Sequence, residues 1–352
     1  MFSSLPFNYL FLFVMSTGTI LSISSVHWLG IWAGLEINLI GFLPILAHQK
    51  SISESESAVK YFIIQALGSS LLIFGSLIIY SSSFTWDIYS SNPQWTITGF
   101  ILMISSLCMK LGLFPFHYWL PGVMAGLSWF SCLLLATWQK IAPLFLMLCL
   151  FNLSQPYYLI MYLCLASVGS SLIGGLGGMN QTQIRALLAY SSIGHLGWIV
   201  FSLMHGEWLM KTYFSIYVLI SICIFMNLWY SDSSYMKNLD NLKNFSFVQL
   251  STMLLFLSLS GLPPFLGFVS KWLVIMMGAC SPYALFLLIL ISGSLMSLFY
   301  YLSLLFSMIL GSFKKYELAG LCAKENTLIS AIILLNLVGG VMILLSNSLN
   351  MI

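Results

Sequence analysis

Charge is what this sequence has least of. Only 6% of its 352 residues are Asp, Glu, Lys or Arg, where a soluble globular domain carries about 25%. That shortage excludes a soluble fold, and the 60% apolar content and mean hydropathy of +0.98 point to a surface that faces lipid. A formal charge of +3, spread thinly, is too little to hold a polyanion, so nucleic-acid binding is excluded. Cysteine pairing is missing too. Cys108, Cys132, Cys149, Cys164, Cys223, Cys280 and Cys322 include no CxxC pair and lie mostly inside apolar runs, as small buried hydrophobes do. Iron–sulfur ligation needs clustered thiolates. The five histidines have no repeated spacing that would suggest bis-His haem. The chain is therefore expected to carry no redox centre of its own. Alternation of apolar and polar residues in short segments is absent, which excludes a membrane barrel. The first residues, MFSSLPFNYLFLFVMSTGTI, lack a basic n-region, an A-x-A cleavage pattern and Arg-rich amphipathic character, so the first apolar stretch is expected to be a retained span.

What is present is a series of long apolar runs. A bilayer of ~30 Å at 1.5 Å per residue divides them into about eleven transmembrane helices: 6–24, 27–47, 58–80, 96–114, 124–151, 157–177, 184–204, 209–230, 247–277, 283–310 and 327–346. The fold expected is an all-α integral membrane protein, one transmembrane domain over 1–352. Runs 124–151 and 247–277 are too long for simple helices and contain proline, so both are expected to be bent or interrupted. The polar loops HQKSISESES (48–57), YSDSSYMKNLDNLKN (230–244) and GSFKKYELAGLCAKEN (311–326) fall on one side. That side collects Lys50, Arg185, Lys237, Lys243, Lys314, Lys315 and Lys324, against Lys211 alone opposite. The N-terminus is expected in the negative compartment and the C-terminus across the membrane from it. An internal echo, GLFPF (112–116) and GLPPF (261–265), carries Lys110 before its first copy and Lys271 after its second. That reversed order suits inverted repeats with broken helices, roughly 58–204 and 209–346.

Four charges stand within the apolar runs: Glu36, Lys110, Lys140 and Lys271. Each costs ~2.5–3.5 kcal/mol at a helix centre on insertion scales, or roughly 10–14 kcal/mol together, unless paired, hydrated or neutralised. Snorkelling accounts for Lys60, near a span start, and accounts poorly for Lys140, which has long apolar flanks. Glu207 and Asp87 lie near span ends and read as solvated acids. A buried lysine beside a movable carboxylate can take and release protons. Glu36 and Lys110 are the natural pair, expected within about 4–8 Å of each other, with Lys140 and Lys271 as further stations. His117 in the first Pro-containing kink and His195 in LAYSSIGHLGW are either hydrogen-bonded core histidines or relays. The set is expected to form one row near mid-membrane, with steps of roughly 10 Å that one or two waters bridge. Glu36 reads as the lone acid buried within the membrane.

KLGLFPFHYWLPGVMAGLSW, TWQKIAPL, RALLAYSSIGHLGW and GLPPFLGFVSKW, in this order, resemble the antiporter-like membrane subunits of the mitochondrial NADH:ubiquinone oxidoreductase, respiratory complex I. The similarity runs from about Leu35 to Lys271 and fits the short, roughly eleven-span animal form of a larger fourteen-span family. It implies an inverted-repeat, antiporter-like bundle in the mitochondrial inner membrane, N-terminus on the matrix side and C-terminus on the intermembrane-space side. It further implies a hydrated axis of Glu36, Lys110, Lys140, His195 and Lys271 that moves protons, driven by redox chemistry elsewhere. NADH, FMN, iron–sulfur clusters and ubiquinone are expected in partner subunits and none in this chain. The partners implied are other membrane subunits of that complex, antiporter-like and small ones, and phospholipids. Where many relatives read W-x-P-E-V, this chain has Trp119, Leu120, Pro121, Gly122 and Val123, so any role of that acid is not carried over. Two competing readings are a stand-alone cation/proton antiporter, which needs a richer carboxylate site, and a purely structural membrane subunit.

Overall fold

In lipid every backbone N–H and C=O must be paired within the chain, and a helix does so within one segment. The computed structural model describes residues 8–47, 51–87, 97–153, 157–231 and 246–313, with Asn336, Gly339 and Gly340. Its helices are α1 (Asn8–Ser24), α2 (Trp28–Leu46), α3 (Ile52–Ser83), α4 (Ile97–Leu111), α5 (Trp119–Gly126), α6 (Trp129–Ala136), α7 (Trp138–Leu153), α8 (Tyr157–Gly178), α9 (Ile184–His205), α10 (Glu207–Ser231), α11 (Ser246–Ser260), α12 (Leu266–Ala279) and α13 (Ala284–Phe313). Among the described residues the only β pairing is one bridge, His27 to Asp87. Seven segments are long and apolar enough to cross a membrane, and four further apolar helices have 10–17 residues. Large apolar side chains such as Phe13, Leu288 and Phe299 stand more than half exposed, as lipid contact permits and water does not. The expected span at 327–346, apart from Asn336, Gly339 and Gly340, lies outside the described residues, as do Cys322 and most of the polar loops.

The chain forms two compact units, Met1–Tyr162 and Leu163–Ile352. In the first, α1 and α2 pack antiparallel through small residues. A methyl group on Gly34 would fall 2.8 Å from the Ser22 Cα, so only glycine lets these backbones approach this closely. The expected loop at 48–57 is corrected in its second half. Ser51 caps α3, accepting a hydrogen bond from the Glu54 N–H at 3.2 Å, and the Ser51-x-x-Glu54 spacing is that of a capping box. Glu54 is itself 4% exposed whereas Glu36 is half-buried, so the buried acid among the described residues is Glu54 rather than Glu36. Lys60 pairs with Glu56, Asp87 with His27 and Glu207 with Lys211 at exposed positions, as expected of solvated ends. Cys108, Cys132 and Cys164 are buried, whereas Cys280 is exposed.

Candidate functional site

The first copy of the echoed motif ends α4. Gly112 is left-handed at φ 76°, a region glycine enters without steric cost, and the Leu113 N–H turns back to the Cys108 carbonyl at 3.0 Å. That is the geometry of a Schellman stop. The carbonyls left over are closed by side chains: the Gln65 amide donates to the Lys110 carbonyl at 3.3 Å, and the Trp119 indole donates to the Met109 carbonyl at 3.1 Å. The Lys110 stem runs across α3 at Gly68, where an added methyl would meet its Cγ at 3.2 Å.

Lys110 and Lys140, 7% and 2% exposed, line one cavity of about 420 Å³ including its mouth, with Asn38, Tyr61, Gln65 and Gln139 on the same wall. The cavity is polar and has room for water. Asn38 and Gln139 face each other in a reciprocal amide pair, at 2.8 and 3.2 Å. Pro143 in α7 brings no N–H to the Gln139 carbonyl, which frees an acceptor one residue before Lys140. Glu36 on α2 is within electrostatic reach of both Lys110 and Tyr61, and its Oε1 is buried with no hydrogen-bond partner. His117 is not on the cavity wall. It is 4% exposed, its Nδ1 lies 3.2 Å from the Pro115 carbonyl, and its ring packs on Tyr118 with centroids 4.0 Å apart.

The second copy ends α11. Gly261 is left-handed at φ 82°, and the Leu262 N–H returns to the Leu257 carbonyl at 3.4 Å. Here the lysine itself closes the helix end: the Lys271 ammonium donates to the Ser260 carbonyl at 2.7 Å and to that of Leu259 at 3.5 Å. A cation at a helix C-terminus also meets the negative end of the helix dipole. Lys271 and His195 line a second cavity, about 270 Å³ with its mouth, together with Ser191, Ser297 and Tyr300. It has room for no more than a single water. His195 Nδ1 lies 3.1 Å from the Tyr213 hydroxyl. Tyr300 and Tyr301 are each 1% exposed, their hydroxyls beside each other and beside Ser297 and Ser191 respectively. Among the described residues no group of three His, Cys, Asp or Glu side chains is placed to hold a metal ion.

Each unit thus brings its lysines into a buried cavity: Lys110 with Lys140 in the first, Lys271 with His195 in the second. The carboxamides of the first wall and the tyrosines of the second escaped the sequence reading. Tyr-x-x-x-Tyr at 213–217 and Tyr-Tyr at 300–301, set inside apolar runs rather than at their ends, were the available signal, because membrane tyrosines otherwise gather at the interfaces.

Residues 25–299 match the family described as NADH:quinone oxidoreductase/Mrp antiporter, transmembrane, and the chain belongs to that family. It is 41% identical, over 311 residues, to NADH-ubiquinone oxidoreductase chain 2 of Anopheles gambiae, covering 88% of this chain and 87% of the relative. It is 38% identical, over 306 residues, to the protein of the same name from Locusta migratoria, covering 86% and 85%. A chain of the respiratory complex I structure from Thermus thermophilus superposes with a TM-score of 0.82 at 26% identity, over 95% of this chain and 78% of that one. A chain of an archaeal membrane-bound sulfane sulfur reductase shares the fold at a TM-score of 0.85 and 21% identity, over 97% and 74%.

Proposed function

We propose that the chain is a proton-translocating membrane subunit of a respiratory NADH:ubiquinone oxidoreductase and that it performs no redox chemistry itself. The observation that carries this reading is the convergence of two lysines from different helices, Lys110 and Lys140, on one buried polar cavity. Two ammonium groups facing so small a space repel each other, which favours one proton passed between them over two held. In this reading Glu36 sets when Lys110 holds its proton, a bridging water carries it to Lys140, and His195 and Lys271 do the same work in the second unit. His117 stands beside the first break and belongs to the same axis. Membership of the family supports the assignment, as does the likeness to a complex I chain.

The wider assembly follows from that assignment. NADH, FMN, iron–sulfur clusters and ubiquinone sit in partner subunits, and the partners are neighbouring antiporter-like and small membrane subunits together with phospholipids. The chain crosses the mitochondrial inner membrane about eleven times, N-terminus in the matrix and C-terminus in the intermembrane space. It forms one transmembrane domain of two inverted repeats, 58–204 and 209–346, each with a broken helix. The matched stops at Gly112 and Gly261 support the repeat.

The test is Lys110→Met in the assembled complex, with protons moved per electron measured in inner-membrane vesicles. A lower ratio at an unchanged NADH oxidation rate is the expected result, and full coupling refutes the assignment.

A further inference from the structure

Lys271 as it stands cannot hand on a proton. Its ammonium points at the Ser260 and Leu259 carbonyls, and a peptide carbonyl is no proton acceptor. The cavity it shares with His195 holds at most one water, too little for a water wire. The remaining polar groups there are hydroxyls. Tyr300 lies on the cavity wall, and its ring is 4.6 Å from that of Tyr301. The Tyr301 hydroxyl stands beside Tyr300 and Ser191, and Ser191 is a further wall residue one helical turn before His195. The Tyr300 hydroxyl stands beside Ser297 as well as Tyr301. Phenylalanine would fill the same space without taking two hydroxyls out of water, and burying such polar groups costs free energy. On the other face of His195, Tyr213 holds Nδ1 at 3.1 Å and is itself hydrogen-bonded to Ser270. The Tyr217 ring lies 5.3 Å from the imidazole.

We infer that Tyr300, Tyr301 and Ser191 form a hydroxyl relay that carries the proton between Lys271 and His195, and that Tyr213 positions the imidazole to receive it. The inference rests on the proton-path reading above and names the groups that serve it in the second unit. Lys271 leaves the Ser260 carbonyl and gives a proton to the Tyr300 oxygen as the Tyr300 proton moves to Tyr301. The Tyr301 proton moves to Ser191, and the Ser191 proton moves to Nε2 of the ring. Every hydroxyl gains one proton and loses one, so all stay neutral. Lys271 ends as the amine and His195 as imidazolium, its Nδ1–H donating to the Tyr213 oxygen. Rotation of the three hydroxyls resets the chain. At rest Lys271 is held at its helix end, so the relay runs only when it swings away.

The test is the double variant Tyr300→Phe/Tyr301→Phe in the assembled complex, which keeps both rings and removes both hydroxyls. Protons per electron are measured beside Lys110→Met, together with the rate of proton movement as a function of deuterium content. The relay requires the double variant to fall to the ratio of Lys110→Met. It also requires a curved deuterium dependence, from several protons in flight, to become linear, a change that a packing defect does not produce. A full ratio in the double variant while Lys110→Met is impaired overturns the relay alone. A full ratio in Lys110→Met overturns the underlying path reading. If the double variant does not assemble, Tyr301→Phe is read by the same two outcomes.

Discussion

In the first unit the carbonyls at the end of α4 are closed by neutral donors, the Gln65 amide and the Trp119 indole, and Lys110 is left to face a cavity lined by carboxamides with room for water. In the second, the carbonyls at the end of α11 are closed by the ammonium of Lys271, in front of a tighter cavity lined by hydroxyls. The same left-handed glycine stop therefore serves two arrangements. On the proposed path the first lysine would move a proton without disturbing its helix end, whereas the second would have to release that end first, tying charge transfer there to a conformational step.

The sharpest way to break this comparison is to remove each lysine in turn. Lys271→Met strips the donor from two buried carbonyls, each worth about 1–3 kcal/mol when left unpaired. It should lower the amount of assembled complex on native gels and its thermal midpoint, as well as proton movement. Lys110→Met leaves α4 capped and should lose proton movement while assembling normally. Equal assembly of the two variants would erase the difference drawn between the units.

A smaller effect is expected from the glycines. Alanine at 261 takes on the left-handed penalty of roughly 1–2 kcal/mol and also pushes its methyl to within 2.8 Å of the Lys271 Cδ and 3.0 Å of its Nζ. Alanine at 112 takes on the same penalty but meets the Leu120 side chain, whose Cδ1 lies 2.8 Å away and can rotate. Gly261→Ala should therefore reduce protons per electron more than Gly112→Ala does, at similar stability loss by thermal denaturation. A pair of variants with equal coupling would mean that the Lys271 position does not matter for transfer.

Much of this was legible in the sequence because charge in an apolar run is rare and costly: Lys110, Lys140 and Lys271 stood out by type alone, and each is buried. The Gly-Pro echo marked both helix stops. What escaped were neutral groups. Asn38, Gln65 and Gln139 are common enough in membrane helices to pass unnoticed, and their meaning depends on which helices pack together, which periodicity does not reveal. The serines escaped for another reason. Most of them bond the carbonyl three residues back, as Ser191 does to Leu188 at 2.8 Å, and only the fold shows which also face a neighbour. Hydropathy alone averages away the turn that parts α11 from α12, so the place of that stop was legible only from the Gly-Pro motif.

The mildest test concerns the amide pair that separates the carboxamide wall from the hydroxyl wall in kind. Asn38 and Gln139 share two hydrogen bonds, each worth about 0.5–1.5 kcal/mol net. Replacing either by leucine leaves the other carboxamide facing an apolar group in a buried place, so each single variant should cost about 1–3 kcal/mol. The double variant Asn38→Leu/Gln139→Leu removes donor and acceptor together and should cost less than the sum of the singles, by about 1 kcal/mol in a double-mutant cycle of thermal stability. If water in the cavity already solvates each amide separately, the costs will simply add. In that case the pair is two independent wall groups beside Lys140 rather than a strut joining α2 to α7.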